Sequence, residues 1–173
     1  MVDMPVDIVE YDPAWQQAFA EQRDRLAILL RGWLAEPVEH VGSTAVPGLA
    51  AKPIVDMLAP VISLAHARGA VSVLTDDGWL HWPTDPKRSW RMWFLRPRPD
   101  ARTHHLYLIQ YDDPHMRQLR AFRDALRADD ALRDRYEALK RKQAKVFRND
   151  REAYTKAKRH FIDDVLRQRG MPL

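Results

Sequence analysis

The chain has 173 residues, 46% of them hydrophobic and 30% charged, with no cysteine and a formal net charge of +4. That length predicts one domain with a sizeable core, and the composition is that of a globular protein rather than a disordered or fibrous one. Without cysteine, disulfides, thiolate metal sites and cysteine nucleophiles are excluded.

Residues 1–5 carry neither the basic head nor the apolar run of a signal peptide, and no stretch reaches the roughly 18 apolar residues of a membrane span. A cytoplasmic protein without a membrane partner is therefore expected. Asp12-Pro13 reads as an N-cap followed by proline at the first helical position, opening a helix that Trp15, Phe19, Leu26, Leu30 and Trp33 carry to about Leu34. A short strand is predicted over 38–41, then a Gly/Ser/Pro turn over 42–49, then a buried strand over 54–61 interrupted by Asp56. One helix is expected over 63–76, a strand start at 79–82, a loop at 83–89 that would suit a mobile lid, and antiparallel strands over 90–95 and 105–111.

The rest reads as helical. Asp113-Pro114 repeats the cap-plus-proline signal, Leu132, Tyr136, Leu139 and Phe147 carry a second helix, and Asn149 with Glu152 resembles a capping box for a third. Strands followed by a helical block argue α+β rather than alternating βαβ units. The reading is one domain over 1–173, with a sheet-bearing core at 1–112 and a helical part at 113–173 closing a cleft. Residues 113–173 hold 17 Lys and Arg against 10 Asp and Glu, while residues 1–112 hold 11 against 14. A basic half facing an acidic half suits an anion-binding cleft, and equally suits long helices with solvated charges.

One segment stands apart, from His40 through Gly42-Ser43-Thr44 and Lys52 to Asp56. Gly42 permits a close backbone approach. Ser43 and Thr44 offer donors to a phosphate, Lys52 adds a positive charge, and Asp56 on a strand can hold a divalent cation. The same residues also read as a plain turn, with Asp56 bonding neighbouring backbone. The run from His40 to Asp56 resembles the signature of the GrpB family, within the nucleotidyltransferase-fold superfamily. Arg91-Met92-Trp93-Phe94, His104-His105-Leu106 and the blocks beginning at Phe122, Tyr136 and Tyr154 continue that likeness in order.

The resemblance implies a nucleotidyltransferase-like mixed sheet with flanking helices and a C-terminal helical block. It also implies that Gly42-Ser43 grips phosphates and that Asp56 holds Mg²⁺ or Mn²⁺, beside a second acid two residues on. That second position is Leu58, so the two-metal machinery looks incomplete. Domains of this type also occur fused to dephospho-CoA kinase, which implies a regulatory alternative.

His40 and His105, beside Asp56, are candidates for general base or metal ligand; each also reads as a strand histidine bonded to backbone. Arg123, Lys140 and Lys158 sit at the edges of apolar helix faces, where they can bind phosphate or snorkel to water, and Arg91 is a further phosphate candidate because its strand is expected to border the cleft. Two functions compete: a nucleotidyl- or phosphoryl-transferring enzyme acting on a nucleotide or phosphorylated small molecule, and an inactive module that binds one. Nucleic-acid binding ranks last, because no aromatic-interleaved basic stripe accompanies the basic helices.

Overall fold

The computed structural model describes residues 5–172, so residues 1–4, on which most of the signal-peptide reading rests, lie outside it. Asp12 opens the first helix, its Oδ1 accepting the Ala14 N–H at 2.9 Å. Helix α1 (Ala14–Leu29) stops five residues short of its expected end. The chain turns through Gly32 so that Leu34 bridges Val61 and the Ala35 N–H donates to the Pro60 carbonyl at 2.9 Å. Pairing with the sheet there outweighs another helical turn.

Strand β1 (Glu39–Val41) runs into a 3₁₀ turn (Ser43–Ala45), and β2 (Val55–Val61) follows. The helix expected over 63–76 breaks at Gly69, a poor helix former, into α2 (Leu64–Ala67) and α3 (Ala70–Asp76). Strands β3 (Leu80–His81), β4 (Arg91–Arg96) and β5 (His104–Gln110) complete a five-stranded mixed sheet in the order β1-β2-β5-β4-β3. Only the β2–β5 pair is parallel.

Helix α4 (Pro114–Ala128) is capped by Asp113, and α5 (Asp130–Val146) by Asp129. The third C-terminal helix differs from expectation twice. Asp150, not Asn149, caps it, accepting the Ala153 N–H at 2.9 Å. It then breaks at Lys158 into α6 (Arg151–Ala157) and α7 (Arg159–Gln168). The apolar positions keep helical spacing across that break, so periodicity alone does not register it. The architecture is α+β, a mixed sheet with flanking helices and a helical C-terminal part.

Strand register decides which side chains can meet. Asp56 pairs with Val41 on one side and His105 on the other, and Tyr107 pairs with Trp93. These residues share one sheet face, where Val41, Leu58, Ile109 and Met116 form a cluster against α4. The opposite face, with Met57, Leu106, Leu108 and Phe94, packs with Leu26 and Trp79 beneath α1 and α3. Val46 and Leu49 of the turn are buried among Leu126, Leu132 and Tyr136 of the C-terminal helices.

His40 lies on the opposite face from Asp56, because its register partner is Met57. The expectation that it meets Asp56 is therefore corrected. Its ring stacks on Phe19 with centroids 4.8 Å apart. Its Nδ1 lies 3.2 Å from Gln16 Oε1 and its Nε2 2.9 Å from the Thr44 hydroxyl. Thr44, itself buried, is also 3.1 Å from the Ile54 carbonyl. The pair braces the turn onto α1. Burial lowers the His40 pKa to about 4, against a partial opposing pull from Asp56.

Because the folded value lies below the unfolded one, this contribution to stability is complete above pH 6.5 and is lost as pH falls through 4. The shift corresponds to about 3 kcal/mol. Urea unfolding at pH 7.5 and pH 4.5 tests this. The loss of stability between the two should be smaller in His40→Gln than in the parent by about 2–3 kcal/mol. An unchanged difference would show that the ring is not held neutral.

Candidate functional site

Gly42 adopts φ 72°, and a Cβ placed there would lie 2.5 Å from Asp56 Oδ2. Glycine is required both for the dihedral and for this contact. The close approach expected at Gly42 thus exists, and what approaches is the carboxylate of the next strand. On its other side, Asp56 Oδ1 accepts the Tyr107 hydroxyl at 2.9 Å and faces His105 Nδ1 at 3.0 Å. An ionised carboxylate only accepts, so His105 carries its proton on Nδ1 and leaves Nε2 as a bare lone pair.

Burial pushes the Asp56 carboxyl up, but the bonds from His105 and Tyr107 and the charge of Lys52 outweigh it, holding the group below its usual range. Burial likewise lowers His105, more than Asp56 can restore, so the ring is neutral at pH 7. Burial and the Asp56 charge raise Tyr107 well above its ordinary value. The Asp56 side chain retains 27% of its surface, whereas the His105 side chain retains 9%.

Around this carboxylate stand the lysines. Lys52 Nζ lies 5.2 Å and Lys158 Nζ 3.9 Å from the centroid of the same ring, Tyr154. Neither has a carboxylate within salt-bridge distance among the described residues. Burial, then the charges of Arg151 and Lys158, lower Lys52 to about 7, with Asp56 pulling the other way. Burial lowers Lys158 to about 8, again against Asp56. Lys140 is 2% exposed, lies 5.1 Å from the Tyr136 centroid and donates to the Ala50 carbonyl. Burial and then Lys158 lower it to about 7. Lys140 is therefore tied to the Ala50 carbonyl, whereas Lys52 and Lys158 lie over the Tyr154 ring.

The remaining expected residues are occupied within the protein. The Ser43 hydroxyl bonds with Tyr136 of α5. Arg91 grips the buried Asp85 through two bonds of 2.6 and 3.1 Å and lies over the Tyr107 ring at 4.7 Å. It supports Tyr107 from behind, and Asp85 ties down the loop expected to act as a lid. Arg123 Nη1 donates to Glu39 at 2.9 Å and to the His40 carbonyl at 3.1 Å, strapping α4 to β1. Arg127 adds two bonds of 3.0 and 2.7 Å to the Ala45 carbonyl.

Sequence reasoning missed Tyr136, Tyr154, Arg151 and the hydrogen-bonding part of Tyr107. A signal existed for the first two: each lies four residues before a lysine of the cluster, hence on the same helix face.

These side chains do not fit a two-metal centre. Leu58, at the second acid's position, is fully buried in an apolar cluster. Asp56 Oδ1 already has two partners, and among the described residues no group of three or more His, Cys, Asp or Glu could hold an ion. Two surface cavities lie elsewhere. One of about 260 Å³ is bordered by Leu64, Arg68, Trp82 and Met92, and one of about 300 Å³ by Ile8, Arg141 and Arg148. No described helix is long and apolar enough to cross a membrane.

The family model described as GrpB protein matches residues 5–168. A UPF0157 protein of Pseudomonas aeruginosa is 36% identical over 95% of this chain and 67% of its own length. The glutamate-rich protein GrpB of Alkalihalophilus pseudofirmus is 29% identical over 94% of this chain and 95% of its own. The crystal structure of conserved protein GrpB from Enterococcus faecalis superposes with a TM-score of 0.84 at 31% identity, covering 94% of this chain and 96% of that one. With the sheet order, the Gly42–Asp56 contact and these matches together, the chain belongs to the GrpB protein family.

Proposed function

We propose that the cleft around Asp56 binds a nucleotide or another phosphorylated small molecule, whose phosphate is gripped by Lys52 and Lys158. One observation carries the reading: two ammonium groups lie against the one ring of Tyr154, both within the field of a single carboxylate. Like charges crowded in a poorly solvated place raise the free energy of the empty protein. An anion with two or more negative charges would relieve that repulsion. Lys140 and Arg151 add to the positive potential without needing to touch the ligand.

A binding module fits these residues better than a nucleotidyltransferase, since Leu58 removes the second metal ligand. The transferase reading keeps one observation in its favour, the part of the Asp56 side chain that stays exposed. Under that reading Asp56 would hold Mg²⁺ or Mn²⁺, which would neutralise charge on the transferred phosphate. Thermal shift against ADP and pyrophosphate separates the two. Binding without metal that survives in Asp56→Asn supports the module; a strict need for the cation, lost in that variant, supports the transferase.

The lysine cluster has a signature of its own. Folded pKa values near 7, 7 and 8 lie below the unfolded value of about 10.4. The unfolded chain therefore binds more protons across that window, and stability of the ligand-free protein should rise from pH 7 to pH 10. Saturating pyrophosphate should flatten the rise, and a falling or level profile without ligand would contradict the crowding.

Lys158→Met should raise the melting temperature of the ligand-free protein by about 2–4 °C, the equivalent of about 1 kcal/mol. The same change should erase the roughly 2.7 kcal/mol that a ligand at 100 times its dissociation constant confers on the parent. A variant destabilised without ligand yet still stabilised by pyrophosphate would refute the role.

A further inference from the structure

Beside the lysines lie two polar atoms with nothing to bond. His105 Nε2 and Trp93 Nε1 are both enclosed and have no hydrogen-bond partner. They belong to neighbouring strands on the Asp56 face, and their rings stand edge to face with centroids 5.3 Å apart. Leaving a buried polar atom unsatisfied is costly, and such atoms are uncommon in folded proteins.

The two atoms are chemically complementary. With its proton on Nδ1, directed at Asp56 Oδ1, His105 presents an acceptor at Nε2. The Trp93 indole can only donate. Two edge-to-face rings that offer one acceptor and one donor match a group that does both, as a ligand hydroxyl does. A carbonyl or ether oxygen would satisfy Trp93 alone; an ammonium would satisfy His105 alone and meet the repulsion of the lysines.

We propose that the ligand of this cleft is a phosphate ester bearing a free hydroxyl, as in a polyol phosphate, a sugar phosphate or the ribose of a nucleotide. The hydroxyl donates to His105 Nε2 and accepts from Trp93 Nε1 while the phosphate sits on Lys52 and Lys158. This rests on the phosphate-binding reading of the cleft and narrows it.

The charges of Lys52 and Arg151 both act on His105, which ties the histidine electrostatically to the proposed phosphate site. Asp56 fixes the tautomer and orientation of His105 through one bond, and Tyr107, 3.2 Å from the same Nδ1, completes that support. Asp56 is thus a positioning residue here, and His105 the one that touches the ligand.

The test is calorimetry on the full chain with two matched pairs of probes, glycerol 3-phosphate against propyl phosphate, and AMP against 2′,3′-dideoxy-AMP. Within each pair the charge is equal and only hydroxyls differ. At least one hydroxylated probe should bind tenfold or more tightly than its partner, as expected where buried polar atoms are otherwise left unpaired. Trp93→Phe and His105→Asn should each remove most of that advantage while leaving the affinity for propyl phosphate within about twofold.

Should either variant fail to fold, nitrogen-15 spectra of the parent supply the answer. The His105 Nε2 resonance should move with glycerol 3-phosphate and stay in place with propyl phosphate. If both members of each pair bind alike, the hydroxyl site is wrong while the phosphate reading stands. If none of the four probes binds, the phosphate reading falls as well.

Discussion

The carboxylate of Asp56 is fixed from three directions, and most of what surrounds it follows from that. Gly42 lets the β1–turn backbone close onto Oδ2, at a separation no Cβ could tolerate. From β5, Tyr107 and His105 hold Oδ1 at 2.9 and 3.0 Å. The parallel β2–β5 pairing sets Asp56 opposite His105, so the histidine's tautomer is a consequence of strand register. Arg91 and Asp85 then support Tyr107, and the arginines of α4 pin β1 against the helical part. A buried carboxylate needs such support to remain ionised.

One negative charge is too little for what faces it. Lys52, Lys140 and Lys158 are all held well below the ordinary lysine range, by burial first and then by neighbouring cations, Arg151 for Lys52 and Lys158, and Lys158 for Lys140. A chain selected for stability alone would not keep three poorly compensated cations at the seam of its sheet and helices. Their repulsion is the kind of local disadvantage that persists where binding requires it. The same reasoning covers the two orphaned atoms at His105 and Trp93, since each is a defect in the empty protein that the proposed hydroxyl would repair.

Much of this was legible in the sequence, and what was not has identifiable causes. The strand–turn–strand run through Gly42 and Asp56 emerged from turn chemistry and a lone acid in an apolar strand, and alternation along 104–110 separated His105 from His104. Register was hidden: nothing local says that His40 pairs with Met57 rather than Asp56, and a slip of one residue reverses a side chain's face. Partners far apart in the chain were equally hidden, as with Arg123 and Glu39 or Lys140 and Ala50. Arg91 looked free because its partner Asp85, six residues earlier, lies in a loop whose path the sequence does not reveal. The break at Lys158, the lysine whose ammonium lies over Tyr154, was masked by an unbroken apolar period.

The central claim is that crowded, poorly compensated lysines form the binding element of this cleft, and lysine-selective NMR addresses it most directly. In protein labelled with carbon-13 at Cε, resonances assigned to Lys52, Lys140 and Lys158 should titrate near pH 7, 7 and 8. On addition of pyrophosphate, the Lys52 and Lys158 midpoints should move upward toward the ordinary value of about 10.4. Midpoints already near that value without ligand, or unmoved by any phosphate, would contradict the account.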